Sequence, residues 1–104
     1  MAMQIKFTDK AISHFESITD IYLEYAGERS ALAFSRLVDE KLDKLLRFPD
    51  IGFPEPLLAG RKYFYRATVI KKSYKMIYYV DGETIWIAAF WDMRMNPNRL
   101  KRMI

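Results

Sequence analysis

Residues 73–91 read SYKMIYYVDGETIWIAAFW, and this stretch decides the fold class. Tyr, Ile, Val, Phe and Trp are the side chains that favour extended strands, and they fill both halves of the stretch. Between the halves lies Asp81-Gly82, a strong signal for the tight turn that joins two antiparallel strands. The stretch therefore predicts a β-hairpin formed by residues 73–80 and residues 84–91.

A third strand is predicted just upstream of this hairpin. Residues 63–70 have the same β-branched and aromatic character. Residues 49–60 hold three of the chain's four prolines and two of its four glycines, which predicts a loop rather than a regular element. The C-terminal half thus predicts three antiparallel strands connected as a meander.

The N-terminal half predicts one strand followed by two helices. Residues 3–7 alternate between apolar and polar, as in a half-buried strand, and Thr8 can cap a following helix. Apolar residues then recur every three or four positions in two runs, which are Ala11, Phe15, Ile18, Tyr22 and Tyr25, and then Ala31, Phe34, Val38, Leu42, Leu45 and Phe48. Gly27 separates the runs and Pro49 ends the second, so we expect a helical hairpin.

These elements predict a single α+β domain over residues 1–104, in the order β-α-α-β-β-β. A chain of 104 residues is long enough for one hydrophobic core and too short for two. Each helix carries one apolar stripe that must be buried on another surface. We therefore expect the N-terminal strand to precede an α-helical hairpin that packs on one face of an antiparallel sheet.

Composition argues against several classes of protein. The chain has no cysteine and a single histidine, His14, so we predict neither a metal site nor a cofactor. It contains no run of roughly 18 apolar residues that could span a membrane, and residues 1–7 lack the apolar segment of a secretory signal. We therefore expect a cytoplasmic protein without a membrane partner.

Positive charge is concentrated in the C-terminal half. Residues 1–58 carry 7 Lys/Arg against 10 Asp/Glu, whereas residues 59–104 carry 10 against 3, so the halves have net charges of −3 and +7. Clustered cations attract phosphate backbones or an acidic protein partner, although a basic face can also serve only solubility. Strict alternation along the strands would place cations and aromatic side chains together on the face opposite the helices, namely Arg66, Thr68, Lys75, Tyr79, Trp86 and Phe90.

Four segments in this order resemble landmarks of the RelE/ParE superfamily of toxins from type II toxin–antitoxin systems. They are residues 45–54 (LLRFPDIGFP), Tyr65-Arg66, residues 73–80 (SYKMIYYV) and residues 92–97 (DMRMNP). The resemblance covers nearly the whole chain, and it rests on the ordered set rather than on one diagnostic motif. It implies a growth-inhibiting toxin, of the kind that stabilises plasmids, which a cognate antitoxin neutralises.

The resemblance also implies candidate site residues. RelE-type members cleave messenger RNA at the ribosome, and by position Arg66, Lys75 and Arg94 match their basic catalytic residues. Thr68, Tyr79, Trp86 and Phe90 would then form the binding face. Each of the three cations also has a purely structural alternative. Cations on a sheet often stack on aromatic rings, and Arg94 can pair locally with Asp92.

Two departures from the RelE-type pattern leave other mechanisms open. Thr68 stands where those enzymes carry a second lysine, and no tyrosine follows Trp91. The resemblance is equally compatible with a ParE-type toxin, which performs no chemistry and instead poisons DNA gyrase. A third possibility is a degenerate toxin that serves only as a binding module for its partner protein.

Overall fold

A computed structural model describes residues 2–104 of the chain. Its elements are β1 (Gln4–Phe7), α1 (Asp9–Ala26), α2 (Glu28–Arg47), β2 (Phe53–Pro54), β3 (Arg66–Ile70), β4 (Tyr74–Asp81), β5 (Thr84–Asp92) and α3 (Pro97–Met103). One 3-10 turn, Pro56–Leu58, interrupts the predicted loop. The predicted α+β order is confirmed, with the short β2 and the C-terminal α3 added to it. The predicted domain includes Met1, which lies outside the described residues.

The five strands form one sheet in the order β1-β5-β4-β3-β2. Strand β1 pairs with β5 in parallel, while the other neighbours are antiparallel. The expectation of a purely antiparallel sheet is therefore wrong at β1. The reason is topological: two antiparallel helices return the chain to the end where β1 finished. Four alternating strands from that end then leave β5 running in the same direction as β1.

The helical hairpin begins and ends as its sequence predicts. The Thr8 hydroxyl accepts a hydrogen bond from the Ala11 amide at 3.1 Å, which caps α1. Gly27 alone joins α1 to α2, and its φ of +88° explains why a residue without a side chain is required there. The apolar stripes are shorter than predicted, because Tyr25 is 79% exposed and Phe48 is 60% exposed.

Both faces of the sheet are covered, each by a different set of elements. On one face the helical hairpin buries residues such as Phe34 and Leu45 against the sheet, and Phe15 of α1 packs on Phe90 with ring centroids 5.6 Å apart. On the opposite face, Leu100 of α3 and Leu58 pack over a smaller core of strand residues, which are Ala67, Ile77, Ala88, Ala89 and Trp91.

A β-bulge at Ala88 changes which residues of β5 face the helices. Ile77 pairs with Ala89 but the next residue, Tyr78, pairs with Ile87, so Ala88 is an extra residue in β5. One extra residue inverts the alternation beyond it. Phe90 therefore packs under the helices and Trp91 lies on the opposite face, so the predicted position of Phe90 beside Trp86 is wrong.

Among residues 2–104, no helix is long and apolar enough to cross a membrane.

Candidate functional site

The residues predicted to share one sheet face lie on two. Arg66 pairs with Tyr78 and Thr68 pairs with Met76, and those partners face the helical hairpin. Directly paired residues point to the same side of a sheet, so Arg66 and Thr68 lie on the helix side with Phe90. Lys75, Tyr79 and Trp86 lie on the opposite side, which is the side of the smaller core. Lys75 pairs with a residue of that core, Tyr79 packs against it, and Trp86 pairs with Tyr79.

Arg66 holds the loop that precedes the sheet. Its Nη1 donates to the Gly52 carbonyl at 2.9 Å, its Nε lies 3.9 Å from the Asp50 carboxylate, and its guanidinium stacks over Phe64 at 4.9 Å. The Tyr78 hydroxyl holds the same loop, since it accepts from the Gly52 amide at 2.9 Å and donates to the Pro49 carbonyl at 2.8 Å. Arg66 therefore stabilises the loop that precedes the sheet.

Lys75 is bound by a buried carboxylate. Its ammonium forms an ion pair with Glu55, whose side chain is 1% exposed, while the Lys75 side chain is 11% exposed. The other oxygen of Glu55 accepts from the Leu57 amide at 3.2 Å, which fixes the carboxylate on the 3-10 turn. The Lys75 charge is therefore neutralised inside the protein and is not presented to a ligand.

Arg94 follows the C-terminal end of β5 and is paired with the carboxylate of Asp92. Its Nε and Nη2 each donate to Asp92 at 2.9 Å, and its guanidinium lies 5.8 Å from the centre of the Tyr74 ring. The side-chain hydrogen bond from Arg94 lowers the pKa of Asp92, so this carboxyl stays ionised and retains the pair. Tyr74 faces the helices, so Arg94 and Lys75 lie towards different sides of the sheet.

The three predicted catalytic cations consequently do not converge on one reacting atom. Each of Arg66, Lys75 and Arg94 has a carboxylate partner of its own. Burial, followed by the nearby Tyr63 and Tyr65, raises the pKa of Tyr79 above its ordinary value. RNA cleavage needs a proton acceptor and free cations within reach of the same phosphate.

What the structure does bring together is a row of aromatic side chains, the aromatic row, which consists of Trp86, Tyr79, Tyr63 and Tyr65. Trp86 of β5 pairs directly with Tyr79 of β4. Tyr63 stacks on Tyr79 with centroids 4.0 Å apart and planes 12° apart, and Tyr65 meets Tyr79 edge-on at 5.3 Å. All four rings are partly exposed, so the row crosses the sheet on the side away from the helical hairpin.

Cations lie at both ends of the aromatic row. Lys6 of β1 pairs with Trp86, and its ammonium lies 5.8 Å from the centre of that ring. At the other end the Lys62 ammonium lies 5.3 Å from the centre of Tyr63. A cation over an aromatic face is attracted by the ring quadrupole and remains able to contact a partner. The row therefore combines flat apolar surface with exposed positive charge.

The sequence analysis found two residues of this site, Tyr79 and Trp86. It missed Tyr63, Tyr65 and Lys6. The two tyrosines carried a usable signal, since residues 63 and 65 alternate out of phase with Arg66 and point to the face opposite it. Glu55 lies between two prolines in a loop, where no periodicity indicates that a carboxylate will be buried.

No metal centre is formed by the described residues, in which no group of three or more His, Cys, Asp and Glu side chains could hold an ion. His14 instead accepts a hydrogen bond at Nδ1 from the Phe90 amide, at 3.3 Å. Burial, and then the charge of Lys10, lowers the pKa of His14, in keeping with a neutral imidazole that serves this contact.

Three solved structures show a similar fold. The "Chromosomal ParDE TA system from P. aeruginosa" aligns with a TM-score of 0.70 and 22% identity over 88% of this chain and 96% of that one. The "YoeB dimer from Staphylococcus aureus" aligns with a TM-score of 0.60 and 21% identity over 86% and 94%. The "YoeB/ParE toxin from Agrobacterium tumefaciens" gives 0.61 and 16% over 86% and 98%.

Comparison with curated protein sequences found no match. The model of one protein family, described as "ParE toxin of type II toxin-antitoxin system, parDE", matches residues 5–97, which span β1 to the start of α3. That match covers most of the chain and all five strands of its sheet. The chain therefore belongs to the ParE toxin family of type II toxin–antitoxin systems.

Proposed function

We propose that this toxin arrests growth by binding its target, as a ParE-type inhibitor of DNA gyrase in the cytoplasm, and that it cleaves no RNA. One observation carries the proposal: the cations that would polarise a phosphate are separated and already neutralised. Lys75 is paired with the buried Glu55, and Arg94 donates two hydrogen bonds to the Asp92 carboxylate.

Reassembly of a catalytic set on substrate binding would require Lys75 to break its buried ion pair. To reach a phosphate, Lys75 would have to leave Glu55 and strand a carboxylate that is 1% exposed. Leaving one member of a buried pair without its partner costs roughly 3–5 kcal/mol. That cost would have to be met before any chemistry began, whereas a toxin that acts by binding can leave this pair intact.

The aromatic row is the surface that we propose for target binding. Tyrosine and tryptophan are enriched among the residues that dominate protein–protein affinity. Tyr79 is already fixed by stacking on Tyr63, so it loses little side-chain entropy when a partner covers it. In this proposal Thr68 and Phe90 have no part in target binding, because they face the helical hairpin.

The test is induced expression in a bacterial host, followed by growth, transcript integrity and the DNA damage response in the same culture. We expect growth arrest with intact transcripts and a damage response. Purified protein should inhibit DNA supercoiling by gyrase in the absence of ribosomes. Arrest with transcripts cut inside coding regions would refute the proposal and restore the RelE-type mechanism.

Variants separate the binding surface from the former catalytic candidates. Trp86→Ala should weaken gyrase inhibition by about tenfold or more, the loss expected for a central aromatic contact. Phe48→Ala is the matched control, since Phe48 is 60% exposed at the end of α2. Arg94→Ala should leave gyrase inhibition unchanged. If Arg94→Ala abolished gyrase inhibition while Trp86→Ala remained fully active, the assigned surface would be wrong.

A further inference from the structure

Half of the aromatic row lies on a loop with little backbone support. Tyr79 and Trp86 are strand residues, and the pairing of β4 with β5 holds their backbone in place. Tyr63 and Tyr65 instead lie in the loop between the 3-10 turn and β3. Among the described residues, the backbone groups of these two tyrosines form one backbone hydrogen bond, in which the Tyr65 carbonyl accepts from the Glu55 amide at 2.9 Å. The positions of the two rings therefore depend on side-chain contacts.

Arg61 links this loop to α3. Its Nη2 donates to the Lys101 carbonyl at 2.7 Å, and its Nη1 donates to the Ile104 carbonyl. Carbonyl groups at the C-terminal end of a helix lack partners within the helix and form the negative end of its dipole. A guanidinium has several N–H donors in a rigid plane, so it can bind two such carbonyls at once. Arg61 thus has a favourable place at the end of α3.

The helix that receives Arg61 is itself fixed to the body of the protein. Leu100 of α3 is fully buried and belongs to the smaller core, together with Leu58 and Trp91. From the side of α1, the Lys10 ammonium donates to the Met103 carbonyl. Two cations from different elements therefore hold the C-terminal end of α3, and only Arg61 comes from the loop that carries the tyrosines.

The contacts continue from Arg61 into the aromatic row. Burial raises the pKa of Tyr65, and the nearby charge of Arg61 partly opposes that rise. Tyr65 packs against the smaller core and meets Tyr63 edge-on, with ring centroids 6.5 Å apart. Tyr63 stacks in turn on Tyr79. A continuous line of contacts therefore runs from α3 through Arg61 and the loop to the strand residues of the row.

We propose that Arg61 is a positioning residue, which uses α3 as a support to hold Tyr63 and Tyr65 in the aromatic row before the target is bound. This inference rests on the proposed role of the aromatic row in target binding. A ring that is already ordered loses less side-chain entropy when a partner covers it, so the ordered loop adds affinity. Without Arg61, the loop half of the row loses its support, whereas Tyr79 and Trp86 remain fixed by their strands.

The test uses three variants of the full-length toxin. Arg61→Met keeps an unbranched side chain and removes every donor. Arg61→Lys retains a cation that can donate to the same carbonyls. Lys10→Met is the matched control, because it removes the other cation that holds α3 and leaves the loop with its own contact. Urea unfolding of each variant establishes that it folds.

NMR shifts of the ring protons report the stacking directly, because an aromatic ring moves the signals of protons above its face upfield. We expect Arg61→Met to shift the Tyr63 ring signals towards those of the unfolded chain, with the Trp86 indole signals unchanged. Arg61→Lys should retain most of the stacking, and Lys10→Met should retain all of it. Unchanged Tyr63 signals in Arg61→Met, or an equal loss of stacking in Lys10→Met, would overturn the proposal.

Gyrase inhibition by the same variants connects the position of the rings to function. We expect Arg61→Met to raise the concentration needed for half inhibition about tenfold, and Arg61→Lys to raise it much less. If Tyr63 leaves the stack without any effect on inhibition, while Trp86→Ala weakens inhibition, the inference is wrong and the target surface stands. If inhibition also survives Trp86→Ala, the proposed target surface fails and this inference fails with it.

Discussion

The ion pair between Lys75 and Glu55 makes the sharpest prediction, because it decides whether Lys75 can serve chemistry. The perturbation is Lys75→Met, which keeps an unbranched stem of similar length and removes the charge. Glu55 then remains with its side chain 1% exposed and with the Leu57 amide, but without a cation. We expect a large loss of stability from this one substitution.

The size of that loss follows from the cost of leaving one member of a buried ion pair without its partner. That cost is roughly 3–5 kcal/mol. We therefore expect the free energy of unfolding to fall by about 4 kcal/mol at pH 7.

The assay is urea unfolding followed by tryptophan fluorescence, since Trp91 is buried in the smaller core and becomes exposed on unfolding. A control is the double variant Glu55→Gln, Lys75→Met, in which the stranded charge is absent and the residue at position 55 can still accept from the Leu57 amide. Replacing a buried pair by neutral groups is often nearly neutral, so we expect a loss within about 1 kcal/mol.

The result that would refute the reasoning is specific. If Lys75→Met alone costs less than about 1 kcal/mol at pH 7, the Glu55 carboxylate is not held by this lysine in the interior. The Lys75 ammonium would then be available to a phosphate, and the proposal of a toxin that acts only by binding would lose its main support.

Three further predictions concern the scaffold, each measured by the urea midpoint. Gly52→Ala should cost at least about 2 kcal/mol, because a Cβ there would lie 2.6 Å from the Tyr78 hydroxyl; an unchanged midpoint would contradict the close approach. Thr8→Ala should cost about 1–2 kcal/mol through loss of the helix cap, whereas Thr8→Ser should retain most of it. The lowered pKa of His14 means that the unfolded chain binds the proton more tightly, so stability should fall as pH drops below about 6.5, and this dependence should be absent in His14→Gln. A urea midpoint that is the same at pH 7 and pH 5.5 would refute the prediction for His14.

The sheet and the helical hairpin could be predicted because their signals are local. A 3.6-residue period needs an apolar stripe to be buried, and Asp81-Gly82 permits one tight turn, so neither depends on distant residues. No local sequence signal predicts the direction of β1 relative to β5. It follows from the number of elements between the two strands, including β2, whose two residues give no periodic signal.

The candidate site was only partly predictable, and the reason lies in β5. Residues 85–91 are apolar on both faces, so alternation carries no information about which side chain faces the helices. A single extra residue at Ala88 then reverses the outcome for Phe90 and Trp91. Two consecutive small residues, Ala88 and Ala89, fit where the backbone bulges, but the same pair is compatible with a regular strand.

The sequence by itself determined the α+β class, the helical hairpin with Gly27 at its turn, the β-hairpin, and a basic C-terminal half. Each of these follows from spacing and composition along the chain. The tertiary structure alone decided that Lys75 is neutralised by Glu55, that Arg66 holds a loop, and that Trp86 continues into a row with Tyr79, Tyr63 and Tyr65. The physical reason is that burial and charge pairing join residues far apart in the chain, and their energies depend on distances that no local pattern encodes.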